Sequence, residues 1–338
     1  MKVLTCLEPH EFAYSEVTVP ELLRGNTLLK IKRIGICGTD IHAYEGTQPF
    51  FTYPRILGHE LAGEIIETID AEGFQQGENV TIIPYFNCGH CIACRNHTPN
   101  CCVTMNVLGV HVNGGMSEYL SVPSYSLVHG EGLSLDELAL VEPLAIGAHG
   151  IRRAGVQPGE FVLVIGAGPI GLATMAFAAI AGAQVIAMDV NKERLSFCQK
   201  QLHIQHTIHA MDADVLQQLK AITNNDMPTV VIDCSGNSKA INHGFQYMAH
   251  GARYVLIGLQ KGDINFSHPE FHKREATLMS SRNATKDDFN HVIKSMKHGL
   301  VNPTTFITHR IRFENLATTF ATFSDPASGV IKAMVEMD

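Results

Sequence analysis

Residues 161–190 read FVLVIGAGPIGLATMAFAAIAGAQVIAMDV, and from Phe161 to Met188 none of them is charged. A run this long and apolar would satisfy the length rule for a membrane-spanning helix. Gly166, Gly168, Pro169, Gly171 and Gly182 break it up, and its opening FVLVI is short and β-branched, as a buried parallel strand is. The stretch therefore reads as strand, tight turn, helix and second strand rather than a span.

Gly166, Gly168 and Gly171 form GxGxxG at the strand-to-helix turn. The first glycine permits the turn, the second lets backbone approach a pyrophosphate, and the third lets helix and strand pack closely. Phosphate would sit over the unpaired N–H groups of the helix start, beside Pro169 and Ile170. Asp189 ends the next apolar strand, where a carboxylate hydrogen-bonds a ribose 2′-hydroxyl and repels a 2′-phosphate. The expected cofactor is therefore NAD rather than NADP, with Arg194 among its contacts. The alternation continues, with strands predicted at 229–233, 252–257 and 277–281, a weaker one at 205–208, and helices near 191–201, 213–222 and 237–248. Six strands with intervening helices fit a doubly wound parallel sheet over residues 145–283.

A second feature lies at 88–102, CGHCIACRNHTPNCC, which carries five of the nine cysteines of a 338-residue chain. The odd count and an amino terminus without an apolar signal core point to a reducing, cytoplasmic setting in which disulfides are disfavoured. Cys88, Cys91, Cys94 and Cys102 are separated by two, two and seven residues. Such spacing lets thiolates converge on a tetrahedral ion at about 2.3 Å from each sulfur. Cys101 competes with Cys102 for the fourth place, and an iron–sulfur cluster is the alternative to zinc. Four thiolates leave a metal no open position, so this site would hold a lobe together and do no chemistry. Zinc ribbons also occur in nucleic-acid-binding proteins, but the net charge is −8 and no Lys/Arg block stands out. Neither nucleic acid nor an anionic membrane is an expected partner.

Chemistry is expected in the amino-terminal half, which is Gly-rich with strand-like runs at 28–34 and 80–83. GICGTDIHAYEG at 35–46 and LGHELAGE at 57–64 bring Cys37, His59 and Glu60. Thiolate, imidazole and carboxylate are the ligand types zinc accepts when it keeps one position open for substrate.

GICGTDIH, LGHE, the four-cysteine lobe, VEPLAIGAHG, GAGPIG and Asp189 occur in this order almost end to end. With them the chain resembles the zinc-dependent medium-chain dehydrogenases/reductases, the superfamily of alcohol, sorbitol and threonine dehydrogenases. The resemblance implies an α/β protein. A GroES-like β-rich catalytic domain would span 1–144 and 284–338, with a structural-zinc lobe at about 86–104. A Rossmann NAD-binding domain would span 145–283. It also implies two zinc ions per chain. Cys88, Cys91, Cys94 and Cys102 would hold the structural ion. Cys37 and His59 would bind the catalytic one, with Glu142 bound directly or through water and Glu60 as an exchangeable neighbour. Because Cys37 and one carboxylate neutralise Zn²⁺, Glu60 and Glu142 are expected to alternate. Asp40 would accept a hydrogen bond from His59, Thr39 would hydrogen-bond the substrate oxygen, and His42 would pass its proton to water. A homodimer or homotetramer is the implied assembly.

The substrate is less legible. Tyr44, Phe50 and Phe51 would wall a pocket or else pack in the core. Arg282 and Asn283 lie where related polyol dehydrogenases contact substrate and nicotinamide, and Arg282 could fork onto a carboxylate or hydroxyls, or else serve a cofactor phosphate or an interdomain salt bridge. TQPFF, GVHVNGG and HPEFHKRE resemble segments of the sugar-acid branch of the superfamily, which implies oxidation of an L-galactonate-like aldonate to a keto acid. The alternatives are a polyol or L-threonine dehydrogenase, or a nucleotide-binding zinc-ribbon regulator without turnover.

Overall fold

The computed structural model describes residues 1–49, 51–69 and 73–337. They form two compact units, one of Met1–Glu142 with Thr285–Asp338 and the other of Pro143–Ala284.

The second unit is a six-stranded sheet with every neighbouring pair parallel. Its spatial order is His206–His209, Gln184–Asp189, Phe161–Ile165, Val230–Asp233, Arg253–Leu256, Thr277–Ser280. The chain starts in the middle, winds outward to one edge, then returns and winds to the other. Its reversal lies between Phe161–Ile165 and Val230–Asp233, the place where such sheets open a crevice for a ligand. Val162, Leu163, Val164, Val230, Val231 and Ile232 are fully buried, as β-branched strands covered on both faces must be. The predicted strands are all present within a residue or so. The helix expected over 237–248 stops at Gly244, and Phe245, Tyr247 and Met248 turn into the core instead. A short helix at His268–Lys273, opened by Pro269, was not anticipated.

The first unit is built from both ends of the chain. Asn26–Gly35 is the centre of a seven-stranded sheet and pairs with Glu60–Thr68, Tyr119–Pro123 and Lys332–Glu336. Lys332–Glu336 also runs parallel to Ile307–Arg312. Leu29, Ile31, Ile34, Leu61, Ile65, Val80 and Ile82 supply the apolar face, packed with Met116, Phe313 and Phe320. Within this unit the cysteine-rich loop follows the short strand Tyr85–Phe86 and closes at Asn106–Val107, its antiparallel partner. No helix among the described residues is long and apolar enough to cross a membrane.

Candidate active site

Cys37 ends the central strand region and caps the seven-residue helix Gly38–Tyr44. Asp40, at the third position of that helix, accepts hydrogen bonds from the Cys37 N–H at 3.0 Å and the Gly58 N–H at 3.1 Å. One buried carboxylate thus joins the two loops that carry Cys37 and His59. The expected hydrogen bond from His59 to Asp40 is not formed. Nδ1 lies 3.7 Å from Oδ1, beyond hydrogen-bond range, and has no partner although it is buried. Backbone N–H groups of Cys37 and Gly58 hold one Asp40 oxygen each, which fixes the carboxylate short of the ring.

His59 is in side-chain contact with Cys37; burial opposes a charge on its ring, but Asp40 and Cys37 outweigh burial and raise its pKa. Glu142, at the start of the helix Val141–Ala154, accepts a hydrogen bond from the Tyr85 hydroxyl. Burial, assisted by the charge on Glu60, pushes Glu142 up to about 7. Burial and the neighbouring Glu142 keep the Tyr85 phenol protonated, so it is the donor.

Glu60 is committed elsewhere. Lys332, 2% exposed, places Nζ 2.6 Å from both of its carboxylate oxygens and 3.1 Å from the Ile36 carbonyl. All three ammonium donors are satisfied, as burial of a lysine demands. Desolvation lowers the Lys332 pKa, but Glu60 and Cys37 more than offset it and leave it raised. Gly35 makes this possible, because a Cβ there would stand 2.0 Å from Glu60 Oε2. Neither Lys332 nor Tyr85 was read from the sequence as a site residue. Lys332 looks like any lysine in KAMVE, whereas Tyr85, in the apolar run just ahead of the cysteine loop, was at least in a suggestive place.

The four lobe cysteines converge. The Sγ atoms of Cys88, Cys91, Cys94 and Cys102 lie within 4.8 Å of one another, and theirs is the one such group among the described residues. Cys101 is exposed and stands apart from it, and every cysteine is a free thiol. Backbone N–H groups of His90 and Cys91 lower Cys88 to about 5, which favours the thiolate a metal needs. Cys37, His59, Glu60 and Glu142 do not converge as tightly, since Glu60 is drawn to Lys332 and Glu142 to Tyr85. Their donor set nevertheless suits zinc: a thiol, a buried imidazole nitrogen without a partner, and a carboxylate with one oxygen engaged.

Thr39 is half-buried beside Cys37. His42 projects into solvent with its side chain 61% exposed, and its Nδ1 lies 3.2 Å from Thr47 Oγ1. Tyr44 requires a correction as a pocket wall. It is 8% exposed and its ring packs on Phe12, His10 and Phe320 at 5.1–5.3 Å, so core packing takes the whole face. Phe50 lies outside the described residues. Arg282 is exposed just past the edge strand Thr277–Ser280, followed by Asn283 in the left-handed region at φ 55°.

In the other unit, Gly168 caps the helix Pro169–Ile180. Within 4 Å of where its Cβ would be there is only Arg194 Nη1, at 3.9 Å, which leaves room for a phosphate above the helix start. Gly171 has no such room, since a Cβ would meet the Gly166 carbonyl at 1.8 Å. Asp189 ends its strand with Oδ2 accepting from Ala167 N–H at 2.6 Å and Oδ1 from Asn191 N–H at 2.7 Å. It therefore ties the glycine turn to the next one. Ile170 is half-buried in the first turn of the helix. Sequence reasoning missed Asp233, fully buried at the end of the neighbouring strand, which accepts from Ser235 Oγ and Gly236 N–H at 2.7 and 2.9 Å and shapes the adjoining loop.

A zinc-binding dehydrogenase family model matches residues 169–298, and an alcohol dehydrogenase GroES-like domain model matches 24–131. The chain belongs to the zinc-binding dehydrogenases: it is an oxidoreductase whose cofactors are zinc and a nicotinamide dinucleotide, and its substrates are small molecules. L-Galactonate-5-dehydrogenase of Escherichia coli K12 is 43% identical over 321 residues, covering 95% of this chain and 94% of its own. The alcohol dehydrogenase RspB of Escherichia coli CFT073, solved with NADH, is 29% identical with a TM-score of 0.92, covering 100% of this chain and 99% of its own. L-Idonate 5-dehydrogenase of Escherichia coli K-12 is 26% identical with a TM-score of 0.90, covering 99% and 98%.

Proposed function

We propose that this enzyme oxidises a secondary hydroxyl of an L-galactonate-like sugar acid to the keto acid with NAD as hydride acceptor. The observation that carries the reading is the 43% identity to L-galactonate-5-dehydrogenase along 95% of the chain. A second sugar-acid dehydrogenase among the solved relatives supports it.

In this reading Cys37, His59 and Glu142 hold the catalytic zinc, and Cys88, Cys91, Cys94 and Cys102 the structural one. When bound, the catalytic ion supplies a Lewis acid that eases loss of the hydroxyl proton, and the nicotinamide supplies the hydride acceptor. Asp40 fixes the loops of Cys37 and His59 in mutual register. Thr39 orients the substrate hydroxyl, and exposed His42 hands its proton to solvent, since an imidazole can accept a proton on one ring nitrogen and donate one from the other. Gly166, Gly168, Pro169, Ile170 and Gly171 cradle the pyrophosphate, with Arg194 beside it. Asp189 takes the ribose hydroxyls and disfavours a 2′-phosphate. Arg282, aided by Asn283, recognises the substrate carboxylate. A homodimer or homotetramer in a reducing cytoplasm is our reading of assembly and setting; the odd cysteine count supports the setting.

The test is a panel of aldonates, alditols and L-threonine with NAD and NADP on zinc-replete protein, followed by absorbance of the reduced nicotinamide. An aldonate with NAD should have the highest kcat/KM. A clear preference for a neutral alditol or for threonine would replace the substrate reading and leave the dehydrogenase class intact.

A further inference from the structure

The two carboxylates beside Cys37 and His59 are held in opposite ways. Both oxygens of Glu60 are taken by Lys332 Nζ at 2.6 Å, and the gap over Gly35 lets the carboxylate lie there. Glu142 has one oxygen, Oε1, on the Tyr85 hydroxyl, and that contact does not use Oε2. Both glutamates, Lys332 and Tyr85 are buried, so none of these contacts is readily replaced by water.

We propose that Tyr85 is a positioning residue that reserves Glu142 for the inner metal, while Lys332 withdraws Glu60 from it. This rests on the reading of Cys37, His59 and Glu142 as the zinc-holding set, and it divides the roles where the sequence suggested alternation. Charge supports the division. Lys332 and Glu60 cancel as a buried pair, and a divalent ion with the Cys37 thiolate and the Glu142 carboxylate also sums to zero. Moving Glu60 to the metal would leave a buried ammonium without its counter-ion, which is costly. Tyr85 acts through Glu142 alone: by occupying Oε1 it sets the carboxylate plane and leaves Oε2 to the cation. A partner of this kind typically governs metal affinity by about 10–100-fold.

The experiment is equilibrium Zn²⁺ binding to the chelator-treated full chain, by competition with a chromophoric chelator. The proteins are wild type, Cys37→Ser, Tyr85→Phe, Glu142→Gln, the Tyr85→Phe/Glu142→Gln double variant and the charge-free pair Glu60→Gln/Lys332→Met. Wild type should bind two ions per chain and Cys37→Ser one. Tyr85→Phe should weaken the inner ion by about tenfold, and Glu142→Gln by at least as much. The double variant should bind no more weakly than Glu142→Gln, because a residue acting only through Glu142 has nothing left to position. Glu60→Gln/Lys332→Met should stay within about threefold of wild type, since a buried pair replaced together is close to neutral. Tyr85→Phe with wild-type affinity, additive losses in the double variant, or a loss in Glu60→Gln/Lys332→Met equal to that of Glu142→Gln would each overturn the division. If wild type and Cys37→Ser bind the same number of ions, the inner zinc site itself is wrong and the inference falls with it. A purely packing role for Tyr85 would lower thermal stability without coupling to Glu142.

Discussion

Lys332 Nζ sits 2.6 Å from each carboxylate oxygen of Glu60, and the two residues are 272 positions apart in the chain. The pair joins the returning carboxy-terminal strand to the strand that follows His59. Breaking it by Lys332→Met should cost about 3–5 kcal/mol of stability, because a buried carboxylate loses its partner. Glu60→Gln/Lys332→Met should recover most of that loss. Urea unfolding at pH 7 checks both, and equal destabilisation of the single and double variants would show that lost packing, not charge, is responsible.

Gly171→Ala should abolish tight cofactor binding. The new methyl would meet the Gly166 carbonyl, a backbone atom that cannot swing aside, at 1.8 Å. The helix must then shift off the turn, and overpacking of this kind costs about 1–3 kcal/mol. Titration of NADH fluorescence should show at least a tenfold weaker Kd, while Zn²⁺ content stays at the wild-type value. Unchanged NADH affinity would mean that the turn has more slack than its geometry indicates.

The cysteine lobe should be a separable metal site. Cys94→Ser should remove about one zinc per chain and lower the melting temperature, because a closed four-thiolate site contributes to folding rather than to chemistry. Metal analysis beside a thermal melt checks this. Loss of turnover with zinc content and melting both unchanged would argue against a structural ion.

Arg282→Ala should raise KM for sugar acids by about tenfold, the scale of a lost hydrogen bond to a charged group, and change KM for neutral polyols far less. Steady-state kinetics on both substrate classes decides it, and equal effects would remove the carboxylate-binding role.

Asp136 offers a pH test away from the active site. It meets Arg33 Nε at 3.0 Å and Arg310 Nη2 at 2.5 Å. Burial raises its carboxyl, but the two guanidinium groups more than compensate and its pKa is lowered. A depressed folded-state pKa adds stability that is complete above the unfolded value of about 3.9 and is lost as pH falls through the folded one. Asp136→Asn should therefore cost about 1 kcal/mol at pH 7, the solvent-screened scale of a partly exposed pair. The gap from wild type should close in acid, on the way to pH 2. Urea midpoints across that range check the sign.

By itself the sequence determined much of this protein. Alternating apolar strands and the glycines at 166, 168 and 171 specify the doubly wound sheet, because strand burial and turn sterics are local properties. The cysteines at 88, 91, 94 and 102 specify a metal-sized cluster for the same reason, since all four lie within fifteen residues. Tertiary structure alone decided which groups share the inner site. Lys332 arrives there only because Lys332–Glu336 pairs with Asn26–Gly35, and Tyr85 meets Glu142 across 57 positions. Tyr44, beside the same motif, is drawn instead into the aromatic core. Contacts made through strand pairing and burial depend on the closed fold, and residue spacing along the chain carries no trace of them.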